Sequence, residues 1–160
     1  MELRKIDLEN VWRVVKLSVT DEQKAQDFVA SNAESLIEAY AAIQSGFVAL
    51  PFALYEGETP VGFVMLGYGS IGEEEEPSVV GDSYCIWRFM IDKDQQGHGY
   101  GAKGMEAVLS YIRTLPCGKA NWCWLSYEPE NEAARALYAK FGFVENGETD
   151  GDEVVAVRPL

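Results

Sequence analysis

Histidine and cysteine are scarce in this chain: one His and three Cys among 160 residues. Cys85, Cys117 and Cys123 form no C-x-x-C pair and their number is odd, so neither a zinc site nor a disulfide framework is indicated. No residue is assigned to a metal. Free thiols fit a reducing compartment, and the cytoplasm is the expected location. No apolar run approaches the ~20 residues that cross a bilayer. The start, Met1-Glu2-Leu3-Arg4-Lys5, lacks the apolar segment of a secretory signal. Positive charge is missing from a long stretch. Between Ala25 and Trp87 there is no Lys or Arg, but there are ten acids: Asp27, Glu34, Glu38, Glu56, Glu58, Glu73, Glu74, Glu75, Glu76 and Asp82. Five more acids and no base lie between Glu145 and Glu153. The net charge of −13 argues against nucleic acid as a partner, since phosphates would be repelled. Such a field concentrates cations, although acidity also serves solubility, and composition does not separate the two.

The length fits one domain, spanning 1–160, with enough chain to bury a core. Glu2–Ile6 reads as a strand. Leu8, Val11, Trp12, Val15 and Val19 recur near a 3.6-residue period and predict a helix over Leu8–Val19, with Asp7 as N-cap. Ser31-x-x-Glu34 and Asn32-x-x-Ser35 both offer caps to a helix carrying Leu36, Ile37, Tyr40 and Ile43 and ending at Gly46. Phe52–Tyr55 and Val61–Tyr68 predict a hairpin, followed by a Gly/Glu/Pro loop over Gly69–Gly81. Tyr84–Ile91 is apolar enough to be a central strand. A glycine cluster then feeds a helix to about Arg113. A strand over Asn121–Ser126, a helix over Asn131–Phe141 and two last strands around an acidic turn complete a mixed α/β, or α+β, pattern. Cys85 and Cys123 alternate with apolar neighbours and read as core. Trp122 and Trp124 alternate on one strand, making one of them a candidate to face a homodimer partner.

Two motifs carry chemistry. Gln96-Gly97-His98-Gly99-Tyr100-Gly101 follows an apolar strand and opens a helix. Glycines allow positive φ and close backbone approach, and the helix start offers free N–H groups, a combination that suits a pyrophosphate. The cluster lacks the Gly-Lys-Ser/Thr of a nucleotide-triphosphate loop and the spacing of a dinucleotide fingerprint. The second motif is Asn131-x-x-Ala134-x-x-x-Tyr138-x-x-x-Gly142-Phe143, with Asn131 at a helix start and Ala134, Leu137, Tyr138 and Phe141 on one face.

Together, in this order, the motifs resemble the Q/R-x-x-G-x-G/A and N-x-x-A-x-x-x-Y-x-x-x-GF signatures of the GNAT superfamily of acyl-CoA-dependent N-acetyltransferases. Gln26–Phe28, Ser31-Asn32-x-x-Ser35-Leu36 and Trp87-Arg88-Phe89-Met90-Ile91-Asp92 are similar to its bacterial diamine and spermine/spermidine branch. The resemblance implies a mixed, mostly antiparallel central sheet of about seven strands flanked by about four helices. It also implies acetyl-CoA as cosubstrate and direct attack by an amine within a ternary complex, with no acyl-enzyme.

Residue roles follow from the same resemblance. Backbone groups of Phe89, Met90 and Ile91 should pair with the pantetheine arm, in a slot opened by splay from the Asn121–Ser126 strand. The turn that Gln96 starts, through Gly97, His98, Gly99, Tyr100, Gly101 and Ala102, should hold the pyrophosphate. Asn131 should bind the cofactor amide. Lys103, Arg135 and Lys140 are candidates for the remaining phosphate, Lys140 first. Tyr138 matches the donor that protonates the leaving thiolate. The usual strand glutamate is replaced by Tyr84-Cys85-Ile86-Trp87, so a water relay through Tyr84, Asp82 or Glu73–Glu76 is the expected base. Glu34, Asp82 and Glu73, Glu74, Glu75 and Glu76 are the expected contacts of a cationic acceptor, a polyamine such as spermidine or spermine. Other acceptors, among them an aminoglycoside-like antibiotic or a protein amine, stay open, as does a non-catalytic acyl-CoA sensor.

Overall fold

The computed structural model describes residues 1–72 and 76–160, with Asp82 described by its backbone alone. Strands β1 (Glu2–Lys5), β2 (Val48–Glu56), β3 (Thr59–Tyr68), β4 (Ser83–Ile91), β5 (Trp122–Tyr127), β6 (Val144–Asp150) and β7 (Glu153–Pro159) form one sheet in the order β1-β2-β3-β4-β5-β7-β6. Every neighbouring pair is antiparallel except β4–β5. Helices α4 (Tyr100–Ile112) and α5 (Glu132–Lys140) cover one face. There Met105, Val108, Leu109 and Ile112 pack with Leu54, Leu66, Tyr84 and Ile86. The other face is covered by α1 (Val11–Val14) and α3 (Asn32–Gln44), over a core that includes Ala53, Phe63, Met65 and Met90, while α2 (Asp21–Ala25), between them in the chain, buries no residue. No helix among the described residues is long and apolar enough to cross a membrane.

The helix expected over Leu8–Val19 is a single turn, Val11–Val14, followed by a break and the separate α2. Three residues of its expected apolar face are β-branched, a weak helix preference. After Val15 the chain is also held elsewhere: Asp92 Oδ1 accepts from the Ser18 N–H at 2.8 Å, and Ser18 O accepts from the Lys93 N–H at 2.8 Å. Leu8 and Trp12 are left exposed, and Asp7 accepts from the Glu9 N–H without capping the helix. In α3, Ser31 and Glu34 make a reciprocal capping box. Asn32 is not a cap. It is buried, and its Nδ2 donates to Val14 O at 2.9 Å. The buried face of α3 consists of Ser35, Ala39 and Ala42, whereas Ile37, Tyr40 and Ile43 face out. Small residues let the helix lie close to the sheet, a requirement that outweighs the hydrophobicity of the larger ones.

One irregularity shapes everything downstream. Leu66 pairs with Ile86 and Met65 with Arg88, so Trp87 is an extra residue in β4. A bulge flips the pleat by one residue and bends the strand. Tyr84 and Ile86 precede it on the α4 side; beyond it Phe89 and Ile91 take that side, while Trp87 and Met90 turn to the other. The strand also leaves β5. The parallel pairing runs only from Ser83↔Trp122 to Cys85↔Trp124, so from Ile86 onward a gap opens between β4 and β5. Gly62 lets β3 follow the bent strand. A Cβ there would run into the Met90 carbonyl oxygen and lie 3.0 Å from Ile91 Cδ1. Gly62→Ala is therefore expected to destabilise the fold by about 1–3 kcal/mol, measurable as a lower urea midpoint at unchanged m-value.

Candidate active site

The gap is the floor of a cleft of about 570 Å³ that runs from the Gly97–Ala102 turn, along Ile86–Ile91, to Ser126, Tyr138 and Glu153. Gly97 (φ 80°) and Gly99 (φ 75°) are left-handed, and Gly99 is the N-cap of α4 without a side-chain cap. Alternating backbone hand turns successive N–H groups inward, into an anion-holding concavity backed by the positive end of a 13-residue helix. A Cβ at either glycine would meet nothing within 4 Å, so the concavity is open. Gln96 braces it: its Nε2 donates to Ile91 O at 3.1 Å and to Gln23 Oε1 at 2.9 Å, tying the turn to β4 and α2. Tyr100, Gly101 and Ala102 also line the cleft; His98 is exposed outside it, with Nδ1 3.2 Å from Gln95 O.

Asn131 caps α5 through an Oδ1 that accepts from the Ala134 N–H at 3.1 Å, and the residue lines the cleft. Of the three candidate phosphate cations, Lys103 is paired with Glu56 at 3.0 Å and Arg135 with Glu145 at 3.0 Å. Lys140 is exposed and has no ion pair among the described residues; it lies outside the cleft lining.

Tyr138 is buried in the cleft wall, packed beside Tyr127 and Phe143, and its hydroxyl makes no hydrogen bond among the described residues. Burial, reinforced by the charge of Glu153, pushes its pKa above the ordinary phenol value, so the proton is present throughout the neutral range.

Tyr84 does not belong to this site. Its hydroxyl donates to Gly118 O at 2.9 Å and accepts from the Cys117 N–H at 2.9 Å, which staples the α4–β5 connection. The pleat turns it toward α4, and it lines no part of the cleft. Glu76 is likewise spent on its own loop, where Oε1 accepts from Ile71 N at 2.7 Å, Gly72 N and Ser70 Oγ. Glu34 caps α3, its pKa lowered by hydrogen bonds from Ser31, and it borders a side pocket next to Val19 and Met90. Glu73, Glu74 and Glu75, and the side chain of Asp82, lie outside the described residues.

Among the described residues the carboxylates that line the cleft are Asp27, Glu128 and Glu153, against one guanidinium, Arg88, whose Nη2 is engaged by Glu38 at 3.0 Å. Glu153 heads β7 on the same face as buried Val155 and accepts from Ser126 Oγ. Burial raises its pKa, aided by Asp150 and Glu128 and opposed by Ser126 and Arg88. The sequence reading missed this residue; an acid one pleat period before an apolar Val155–Val157 stripe was the available signal.

None of the three cysteines is in a disulfide, and burial pushes the Cys123 thiol up to about 12, so it is inert. Trp124 is buried, whereas Trp122 is 40% exposed at the start of β5. No cluster of His, Cys, Asp and Glu among the described residues could hold a metal ion.

Comparison with known proteins is consistent with this geometry. The model of the Acetyltransferase (GNAT) family matches residues 16–143. A probable spermine N(1)-acetyltransferase of Bacillus subtilis subsp. natto (strain BEST195) is 39% identical over 109 residues, and a spermine/spermidine N(1)-acetyltransferase of Bacillus subtilis (strain 168) is 38% identical over 109. Each match spans 66% of this chain and 66% of the relative's length. Among solved structures, an aminoglycoside acetyltransferase, AAC(6')-Ib, in complex with coenzyme A superposes with TM-score 0.77 at 17% identity, over 98% of this chain and 93% of the other. The PaiA N-acetyltransferase from Thermoplasma acidophilum in complex with coenzyme A gives 0.69 at 15%, over 99% and 98%. At such identities these two bear on the fold alone.

Proposed function

Because the chain belongs to the GNAT acetyltransferase family, we propose that it moves an acetyl group from acetyl-CoA to a primary amine of a small cationic acceptor, a polyamine of the spermidine/spermine class, by direct attack in a ternary complex. The observation that carries this reading is the cleft itself: a backbone anion cradle at one end, a protonated phenol in the wall, and carboxylates in the lining. In this reading residues 1–160 act as one cytoplasmic enzyme domain. The Gly97–Ala102 N–H groups hold the pyrophosphate, with Gln96 bracing the turn and Lys140 reaching the outer phosphate. Phe89, Met90 and Ile91 offer the backbone edge left unpaired by the splay to the pantetheine amides, and Asn131 takes a further cofactor amide. The amine attacks the thioester carbonyl, the C–S bond breaks, and Tyr138 gives its proton to the departing sulfur. Should the enzyme pair with a second copy, exposed Trp122 is the tryptophan that meets it, since Trp124 is buried.

The acceptor class follows from charge. Among the described residues three carboxylates line the cleft, and the one cation there is already paired, so an incoming ammonium meets a negative wall. Thiol release from acetyl-CoA against a panel of spermidine, spermine, a monoamine and an aminoglycoside tests this. Spermidine and spermine are expected to give the highest kcat/KM, falling as salt screens the wall. Equal kcat/KM across the panel would remove the polyamine assignment, and no thiol release with any amine would remove the activity.

A further inference from the structure

The strand position that would carry a carboxylate beside the reacting amine reads Tyr84-Cys85-Ile86-Trp87, and Tyr84 is committed to the Cys117–Gly118 backbone. A carboxylate nevertheless reaches the cleft from across the gap. Glu153 lies at the head of β7, beside the Tyr127↔Val154 pair, and lines the cleft together with Tyr138. Resting on the acetyltransferase reading above, we infer that Glu153 is the group that takes the proton from the acceptor ammonium, with Ser126 as its positioning residue.

The hydrogen-bond arithmetic around Ser126 supports this. Its Oγ lies within hydrogen-bond reach of Glu153 and is 3.1 Å from Asp150 Oδ2. A hydroxyl has one proton to donate. With both carboxylates ionised, one contact is a hydrogen bond and the other sets oxygen lone pairs against each other. With one proton added to Glu153, the carboxyl donates to Oγ and Oγ donates to Asp150, so both contacts become hydrogen bonds. The cluster is complete only when it holds one proton more than its charges suggest. The groups facing Glu153 come from every neighbouring element: Ser126 on β5, Glu128 just beyond it, Asp150 on β6, Arg88 on β4 and Tyr138 on α5. The two acids favour the protonated form, and Arg88 keeps it from becoming permanent.

The proton balance closes. The ammonium gives one proton to Glu153, and the free amine attacks the thioester carbonyl, forming the C–N bond. The C–S bond then breaks, and its electron pair goes to sulfur, which takes the Tyr138 proton. The second proton on nitrogen restores Tyr138 through water. Glu153 releases its proton to solvent, so one proton is lost per acetyl transferred.

The test is the pH dependence of kcat and kcat/KM for spermidine in the wild type, Glu153→Gln, Ser126→Ala and Asp152→Asn. Asp152 is an exposed acid next to Glu153 that does not line the cleft, so its substitution makes the same charge change without touching the cleft. Glu153→Gln is expected to lower kcat about 10²-fold at neutral pH and to lose the acidic limb of the profile. Its deficit should narrow as pH approaches the amine's own pKa of about 10, where free amine needs no base. Ser126→Ala should shift the acidic limb, because the contacts of its hydroxyl differ between the two protonation states of the cluster, and Asp152→Asn should change neither. The acetyl-CoA-induced rise in Tm should persist in all four proteins. A Glu153→Gln enzyme with raised KM but wild-type kcat and an intact acidic limb would overturn the assignment, leaving Glu153 an ion-pair partner. An acidic limb unmoved in Ser126→Ala would overturn it independently of how the glutamine variant folds. A wild type that acetylates no amine would fail at the acetyltransferase reading instead, and Glu153 would fall with it.

Discussion

Tyr138→Phe is expected to cut kcat about 10²-fold, the usual scale for a lost general acid, while acetyl-CoA affinity stays within a few-fold. The substitution isolates the hydroxyl because nothing else depends on it. The ring packs between Tyr127 and Phe143, and phenylalanine keeps that packing. The hydroxyl has no hydrogen-bond partner among the described residues, so its removal strands no donor or acceptor. Tm should therefore stay at the wild-type value while turnover collapses. Turnover that survives would mean that the thiolate leaves unaided and that Tyr138 only fills the wall. The raised phenol pKa adds a second readout. The phenol remains protonated well above neutrality, so if it is the proton donor a basic limb in the wild-type rate profile should lie above the ordinary phenol range and vanish in the phenylalanine variant.

Gly99→Asp should abolish the thermal shift that acetyl-CoA produces. At one hundred times Kd a ligand that binds only the native state adds about 2.7 kcal/mol, or roughly 5–10 °C at this chain length. The aspartate variant should show almost none of it, because on the proposed reading a carboxylate at the mouth of the concavity repels the pyrophosphate. The fold itself should tolerate the change. A Cβ at Gly99 meets nothing within 4 Å, and short polar side chains are the non-glycine residues that best accept the left-handed backbone at φ 75°. Gly99→Asn has the same shape and strain without the charge and should retain part of the shift. Equal losses in both variants would assign the effect to the backbone, and a full shift in the aspartate variant would remove the cradle from the cofactor site.

How much of this was legible in the sequence depends on whether a signal was local. The Gly97–Gly101 turn, the Asn131 cap and the Tyr138 wall were readable because glycine φ, capping chemistry and helix spacing are short-range rules. The Ser31–Glu34 box likewise marked the start of α3 correctly. The face that α3 buries was not readable, because closeness to the sheet, which favours Ser35, Ala39 and Ala42 over Ile37, Tyr40 and Ile43, is a tertiary demand. Tyr84 was misassigned for a related reason. A strand shows which residues share a face but not which face meets the cleft, and the bulge at Trp87 exchanges the two midway.

Charge was legible in quantity but not in position. The acid-rich stretch from Ala25 to Trp87 suggested a negative wall for a cationic acceptor, yet most of its described acids are occupied elsewhere: Glu38 by Arg88, Glu56 by Lys103 and the N-terminus, Glu58 by Arg4, and Glu76 by its loop. Of its described acids only Asp27 lines the cleft, and the other described carboxylates there, Glu128 and Glu153, come from the C-terminal part of the chain. Pairing partners far apart in sequence cannot be counted from a composition.

The three residue pairs that join β4 to β5 make the sheet a clothes-peg, with four strands in one jaw and three in the other, sprung at the Ser83–Cys85 end. Among the described residues no strand pairing crosses its mouth beyond that spring, so little backbone bonding fixes the mouth's width. A chain of amides laid along Phe89–Ile91 would act as the missing rung, stiffening both jaws as it enters. Loss of that rung after turnover would let them breathe again. On the proposed placement of the cosubstrate, its residence time would therefore depend on the few pairs that hold the peg closed.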